Sequence, residues 1–228
     1  MIPGQVAVVV PARNEEAWLP ACLTALDAAR VRLLRTIPRV LVSVTVVLDR
    51  CTDRSESAAR SIPGVSVIAG NFGSVGAARG AGVTFALARS RSLPGRTWVA
   101  NTDADSVVPL DWLVRHHQLG SDHDLVLGTV RPTLTATNAG RLQLWSNAYT
   151  PGDGHDHIHG ANLGIRGDVY EDVGGFRPLA QDEDVDLVVR AKASAARWMA
   201  SGAIQVATSS RTVGRVPAGF STYLRALG

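Results

Sequence analysis

In the stretch Gln5-Val6-Ala7-Val8-Val9-Val10-Pro11-Ala12-Arg13-Asn14-Glu15-Glu16 an unbroken, mostly β-branched apolar run follows Gln5, stops at a proline and turns polar. A run that is apolar at every position, not every second one, fits a strand covered on both faces. Trp18, Leu19, Cys22, Leu23 and Leu26 then recur at helical spacing, so the strand feeds a helix. The same change repeats outward along the chain. Residues 40–48 and 65–69 read as strands, each followed by a helical pattern over 52–60 and 75–89, and 98–102 is a fourth strand. Apolar strands alternating with helices imply parallel pairing through right-handed crossovers. The expected fold is therefore α/β, a doubly wound, mostly parallel central sheet with helices on both faces.

Beyond residue 106 the pattern predicts a helix over 109–119, a strand over 124–130 and a helix over 139–149. A loop rich in Gly, Asp and His over 150–160 follows, then a short strand over 161–166, a helix over 182–196, a strand over 203–207 and a basic tail. The 228 residues suffice for one domain, and 46% hydrophobic with 19% charged residues is the composition of a packed globular chain. Lys and Arg number 23 against 20 Asp and Glu, and this excess of +3 gives no argument for nucleic acid. Lys192 is the single lysine, so arginine, with its planar fork, supplies nearly all the cations.

Cys22 and Cys51 lack C-x-x-C spacing, which points away from a zinc ribbon or a disulfide framework and fits a reducing compartment. The N-terminus reads as no signal peptide, and no apolar run is long enough for a transmembrane segment. A cytoplasmic protein is expected, with peripheral contact at the inner face of the membrane as the alternative.

In a sheet of this kind ligands sit beyond the C-terminal strand ends. Those ends carry Pro11 to Glu15, Asp49-Arg50, Asn71 to Gly76 and Asp103-Ala104-Asp105. Two carboxylates at i and i+2 in extended backbone project to one side and suit a hard cation such as Mg²⁺ or Mn²⁺. The same residues read equally as a turn capping the next helix. By position alone Asp49 reads also as the cap of the helix over 52–60, and Arg79 as a surface helix residue. Gly73, Gly76, Gly80 and Gly82 do not follow G-x-G-x-x-G spacing and suit close helix packing. His155, His157 and His159 alternate, as metal ligands or as the solvated side chains of a binding loop.

The motifs P-A-R-N-E-E, V-L-D-R-C-T-D, N-F-G-S-V-G-A-A-R-G-A-G and A-N-T-D-A-D, followed by G-A-N-L-G-I-R at 160–166, V-G-G-F at 173–176 and E-D-V-D-L at 183–187, occur in one order. This ordered set, over about residues 5–190, resembles the family 2 glycosyltransferases, which have the GT-A fold. The resemblance implies one GT-A domain over 1–228, with a nucleotide-binding half to about residue 106 and an acceptor-binding half and tail after it. It implies transfer of one sugar from a nucleoside diphosphate sugar, UDP-sugar before GDP-sugar, to a hydroxyl acceptor. Pro11, Ala12 and Glu15, with Arg13 in the same turn, would line the base and ribose pocket, and Asp49 would accept from the imide of the base.

Arg79 matches the family's arginine near base and diphosphate. Asp103 would reach ribose and metal, Ala104 would lie between the two carboxylates, and Asp105 would be the principal metal ligand, for Mn²⁺ or Mg²⁺. Gly160 and Asn162 match the segment near sugar and acceptor, Glu183 would touch substrate, and Asp184 would be the general base of an inverting displacement. Arg50 and Cys51 stand where the family commonly has Gly and Ser, Gly80 where it commonly has Asn, and no histidine follows Asp184. The alternatives are a sugar-1-phosphate nucleotidyltransferase, a non-catalytic nucleotide-sugar-binding protein, and a retaining reaction on the same fold. Arg197-Trp198 lacks the glutamine of the Q-x-x-R-W signature of processive synthases, since position 194 is Ser. The tail over 209–228, with Arg211, Arg215 and Arg225 among Phe220, Tyr223 and Leu224, could clamp phosphate, touch a membrane surface or pack as an amphipathic helix, and is read as plain packing or a partner interface.

Overall fold

The computed structural model describes residues 1–133, 145, 149 and 152–211. The helix expected over 139–149 lies outside them apart from Trp145 and Tyr149, as does the tail beyond Arg211. Among the described residues eight strands form one sheet: β1 (Gln5–Ala12), β2 (Leu41–Asp49), β3 (Val65–Gly70), β4 (Thr97–Asn101), β5 (Ser106–Val107), β6 (Leu125–Pro132), β7 (Leu163–Arg166) and β8 (Trp198–Thr208). Their spatial order is β3-β2-β1-β4-β7-β6-β8-β5. The pairs β1/β2, β1/β4, β2/β3 and β6/β8 are parallel. The pairs β4/β7, β6/β7 and β5/β8 are antiparallel. The expected mixed α/β fold with a mostly parallel sheet is what the chain adopts.

Helices α1 (Leu19–Thr36), α2 (Ser55–Arg60), α3 (Val75–Ala88), α4 (Trp112–Asp122), α5 (Gly167–Asp172) and α6 (Glu183–Ala193) flank the sheet. The unbroken apolar run of β1 is explained by its two buried faces. Val6, Val8 and Val10 pack with Leu19, Leu23 and Leu26 of α1, whereas Ala7 and Val9 pack with Ala78, Val83 and Ala86 of α3. Each fully buried Val or Leu contributes roughly 1.5–3 kcal/mol, so both faces hold the strand in register. Helix α3 lies close to the sheet because Gly82 has no side chain: a Cβ there would stand 2.5 Å from Val9 Cγ1 and 2.7 Å from Val47 Cγ2. Ser74 caps the same helix by accepting from Ala77 N. In α6, Glu183, Asp184 and Asp186 occupy the first turn and Arg190 and Lys192 the last, complementing the helix dipole.

Several boundaries differ from expectation for local reasons. The last strand is longer than residues 203–207, because β8 pairs along the whole of β6 through a register shift at Gly128/Thr129. The short β5 and the helix α5 have no periodic apolar pattern long enough to announce them. Strand β8 begins at Trp198; Arg197, just before it, pairs with Asp124 at 2.8 Å, and Lys192 Nζ lies 3.4 Å from the Trp198 ring centre. Among the described residues no helix is long and apolar enough to cross a membrane.

Helix α4 meets the sheet through His116, which is fully buried beside Trp98 and Trp112. Trp98 Nε1 donates to His116 Nδ1 at 3.2 Å. Burial pushes the imidazole down to about 4. The unfolded chain binds a proton near pH 6.5 that the folded chain refuses, so His116 costs stability as pH falls from about 6.5 to about 4, by on the order of 3 kcal/mol. We expect the unfolding temperature to drop less between about pH 7 and about pH 4.5 in His116→Gln than in the parent, since one such histidine is removed. An equal drop would contradict a buried neutral imidazole.

Candidate functional site

Parallel strands deliver their C-terminal ends to one edge of the sheet, and that edge opens into a cavity of about 690 Å³. Pro11 and Ala12 at the end of β1, Arg13 and Glu15 after it, Asp49 at the end of β2, Gly73 to Val75 with Ala78 and Arg79 of α3, and Asp103 to Asp105 after β4 line it. His157 to Ala161, Ala180 to Val185, Thr208, Ser209 and Arg211 complete the wall. Of the expected substrate and metal residues, only Asn162 is not in this lining.

Arg79 is the centre of the arrangement. It is 2% exposed, donates from Nη2 to Asp103 Oδ1 at 2.5 Å, and donates from Nε to Glu183 Oε1 at 3.0 Å. The surface-residue reading of Arg79 is thereby replaced. Burial works against its charge, but Asp103 and Glu183 outweigh that and hold the guanidinium protonated. Gly160 packs directly on it: a Cβ there would stand 2.5 Å from Arg79 Nη2, and the guanidinium, held on two sides, has little room to give.

Asp184 sits across from these groups. Its Oδ2 accepts from Gly160 N at 2.5 Å and its Oδ1 from Val185 N at 2.8 Å. Burial pushes its carboxyl above the usual range, although Arg79 draws it down. The other acidic residues of the segment are placed differently. Glu183 is bound to Arg79, and Asp186 is outside the cavity, paired with Arg190 at 2.6 Å and Arg177 at 3.1 Å. Asn162 is fully buried behind the wall. Its Nδ2 donates to Thr129 O and Ile204 O, and its Oδ1 accepts from Trp112 Nε1 at 2.9 Å. It holds the Gly160–Asn162 turn from behind and does not face the cavity.

Neither Asp49 nor the Asp103/Asp105 pair acts as a helix cap. Asp49 Oδ1 accepts from Phe72 N at 2.8 Å and Gly73 N at 3.1 Å, shaping the loop after β3, while α2 begins only at Ser55. Helix α4 follows Asp111. Asp105 is pushed up to about 7 by burial first and by Asp103 second, while Arg211 works the other way. A carboxylate so crowded by negative charge favours a cation, and the oxygen donors of Asp103 and Asp105 suit a hard divalent ion that fills further positions with phosphate or water. Among the described residues no group of three or more His, Cys, Asp or Glu stands ready to enclose a metal unaided.

Backbone strain gathers at the same edge. Of the four described non-glycine residues with positive φ, Asn14 (53°), Arg50 (51°) and Asp182 (58°) adjoin a cavity carboxylate, Glu15, Asp49 and Glu183, while Ala195 (62°) lies after the end of α6. Such conformations cost energy and persist where surrounding contacts impose them; Asn14 Oδ1, for example, accepts from Thr52 N at 2.7 Å. Cys51 packs near Ala12 O, and burial pushes the Cys22 thiol up, so it stays protonated beneath Asp103.

The far wall is aromatic. Tyr149 stacks on Trp145 with ring centres 4.4 Å apart and on His157 at 4.0 Å, and its hydroxyl lies 3.2 Å from His159 Nε2. His155 and His157 also stack, and of the alternating histidines His157 and His159 line the cavity. Burial holds His159 down to about 4 and hence neutral. Arg211, expected to serve packing or a partner interface, instead reaches into the cavity and pairs with Glu15. The basic tail marks it as a candidate phosphate clamp, but nothing local in the sequence names its partners, which are strand ends from the other half of the chain.

A family model described as Glycosyl transferase family 2 matches residues 7–169. No curated protein sequence matches the chain. Among solved structures, S. aureus TarS 1-349 in complex with UDP-GlcNAc is similar at 16% identity and a TM-score of 0.68, covering 95% of this chain and 61% of that one. GalNAc-T7 with UDP, GalNAc and Mn²⁺ is similar at 12% identity and a TM-score of 0.64, over 90% of this chain and 44% of that one. Mannosyltransferase PcManGT from Pyrobaculum calidifontis, with GDP-Man and Mn²⁺, is similar at 20% identity and a TM-score of 0.56, over 97% and 60%. The chain thus spans about three-fifths of the length of the TarS fragment.

Removing one partner of a buried ion pair leaves charge uncompensated. Glu183→Ala is expected to cost about 3 kcal/mol in urea unfolding, and Glu183→Gln, which retains the hydrogen-bond acceptor, roughly half of that. Equal stability in both variants and the parent would mean that Glu183 does not carry the Arg79 charge.

Proposed function

The chain belongs to glycosyl transferase family 2, and on that premise we propose that it moves one sugar from a nucleoside diphosphate donor to a hydroxyl acceptor with inversion. UDP-sugars are the favoured donors and GDP-sugars the alternative. The observation that carries the reading is the meeting of four strand-end segments and Asp184 in one cavity. Its volume falls within the range of about 300–1,000 Å³ usual for small-molecule sites. TarS is described with UDP-GlcNAc and PcManGT with GDP-Man and Mn²⁺, and the extension from those proteins to this one is part of the proposal.

In this reading Pro11, Ala12, Arg13 and Glu15 line the base and ribose pocket. Asp49 accepts from the base, using the oxygen that does not hold Phe72 N and Gly73 N. Arg79 and Asp103 face the ribose and diphosphate, Ala104 lines the floor between the carboxylates, and Gly160 and Glu183 border the sugar. Asp103 and Asp105 would hold Mn²⁺ or Mg²⁺, which when bound supplies positive charge against the departing diphosphate. Asn162 acts by positioning Gly160.

Asp184 takes the proton of the acceptor hydroxyl as the new bond forms at the anomeric carbon and the bond to the diphosphate breaks on the opposite face. Two features support it. Gly160 N and Val185 N fix both carboxylate oxygens, and burial raises the carboxyl toward the range where a base is effective. A single domain with a nucleotide-binding half and an acceptor half, working in the cytoplasm or against the inner membrane face, is the setting this reading assumes.

Asp184→Asn is expected to lower turnover by about 10²–10⁴ with little change in donor KM, because a base acts in the transition state and not in ground-state binding. Asp105→Asn is expected to remove stimulation by Mn²⁺. Mass spectrometry of products across UDP- and GDP-sugars, with NMR of the anomeric configuration, checks both. Parent-like turnover in the two variants would remove the assigned mechanism.

A further inference from the structure

Arg211 enters the cavity from the end of β8, on a backbone tied to the turn it faces. Ser209 N donates to Asp105 O at 3.1 Å, Ser106 Oγ lies 3.0 Å from Thr208 Oγ1, and Ser106 pairs with Thr208 in the sheet. The guanidinium is therefore delivered to Asp105 by main-chain geometry. Its Nη1 and Nη2 reach Glu15 Oε2 and Oε1, each at 3.0 Å, and Nη2 also lies 3.0 Å from Asp105 Oδ2. Three strand ends, from β1, β4 and β8, thus meet on one cation. Bidentate pairing with Glu15 anchors the guanidinium without using Asp105, which receives only the shared Nη2.

The surroundings give that cation work to do. The cavity lining carries more carboxylates than arginines, and the charge of Arg79 is already shared between Asp103 and Glu183. The side chain of Arg211 is 27% exposed, so it is open to the cavity. A diphosphate approaching this edge meets the carboxylates of Asp103 and Asp105 and needs compensating charge close to them.

We propose that Arg211 is a donor-site residue, the built-in cation that Asp105 shares with a divalent metal. Resting on the donor-site reading above, the proposal has two parts. With no metal present, Arg211 neutralises Asp105 and attracts the diphosphate. A metal ion at Asp105 meets the like charge of Nη2 and competes with it, while the Glu15 pair keeps Arg211 in the site as a second cation for the phosphates. Arg211 thereby weakens binding of the metal alone and strengthens binding of the nucleotide alone.

The test is calorimetric titration of the protein with MnCl₂ in the absence of nucleotide, and with UDP in the presence of EDTA. The parent is compared with Arg211→Met, which keeps an apolar stem, and with Arg211→Lys, which keeps the charge. Arg211→Met is expected to bind Mn²⁺ about tenfold more tightly and UDP about tenfold more weakly, with Arg211→Lys closer to the parent in both, a coupling of ordinary size. Unchanged Mn²⁺ affinity in Arg211→Met, or a lysine variant that behaves like the methionine one, overturns the proposal. Asp105→Asn separates the two readings. Loss of Mn²⁺ binding there, with no effect in Arg211→Met, sinks the role of Arg211 and leaves the metal ligand standing. Mn²⁺ binding untouched by Asp105→Asn sinks the metal site and the competition with it.

Discussion

A guanidinium group removed from water must be compensated where it sits, because a buried charge without partners costs several kcal/mol, and this chain meets that demand at Arg79. The partners come from distant parts of the sequence, Asp103 from the end of β4 and Glu183 from the start of α6. Gly160 closes over the same group with main chain alone. One buried cation therefore joins the edge of the parallel sheet to the segment carrying Asp184. The positions of Asp103, Glu183 and Gly160 are consequences of it.

The rest of the cavity is an electrostatic problem around that link. Carboxylates crowd one edge, where burial and mutual repulsion push Asp105 and Asp184 above the usual carboxylate range. Left-handed backbone at Asn14, Arg50 and Asp182 adds local strain beside three of these acids. A chain selected only for stability would hold neither feature. Both fit the donor site proposed above, and Arg211 pairs with Glu15 and Asp105 from within the protein.

Much of this was legible in the residues. The apolar run of β1 and its repeats imply a two-faced parallel sheet, and a parallel sheet implies that Glu15, Asp49 and Asp103 share an edge. The ordered motifs resembled the family to which the chain belongs. That resemblance points to Asp184 among neighbouring acids; in the structure Glu183 pairs with Arg79, Asp186 pairs with Arg190, and Glu183 and Asp184 both line the cavity. Asn162 was grouped with the substrate residues because Gly160-Ala161-Asn162 resembles the family's segment near sugar and acceptor, yet the turn sends its side chain inward to Trp112. Adjacency in sequence could not distinguish the two directions.

What the sequence by itself determined was periodicity and order: which segments bury two faces, where each strand ends, and which polar residues stand at those ends. These depend on neighbours along the chain, so a linear pattern records them. Only the tertiary structure decided which charges meet. The pairing of Arg79 with Glu183 spans 104 residues and that of Arg211 with Glu15 spans 196. Such pairs depend on how the β8 and α6 segments pack beside strands formed much earlier in the chain, and an ion pair of that separation leaves no local signature.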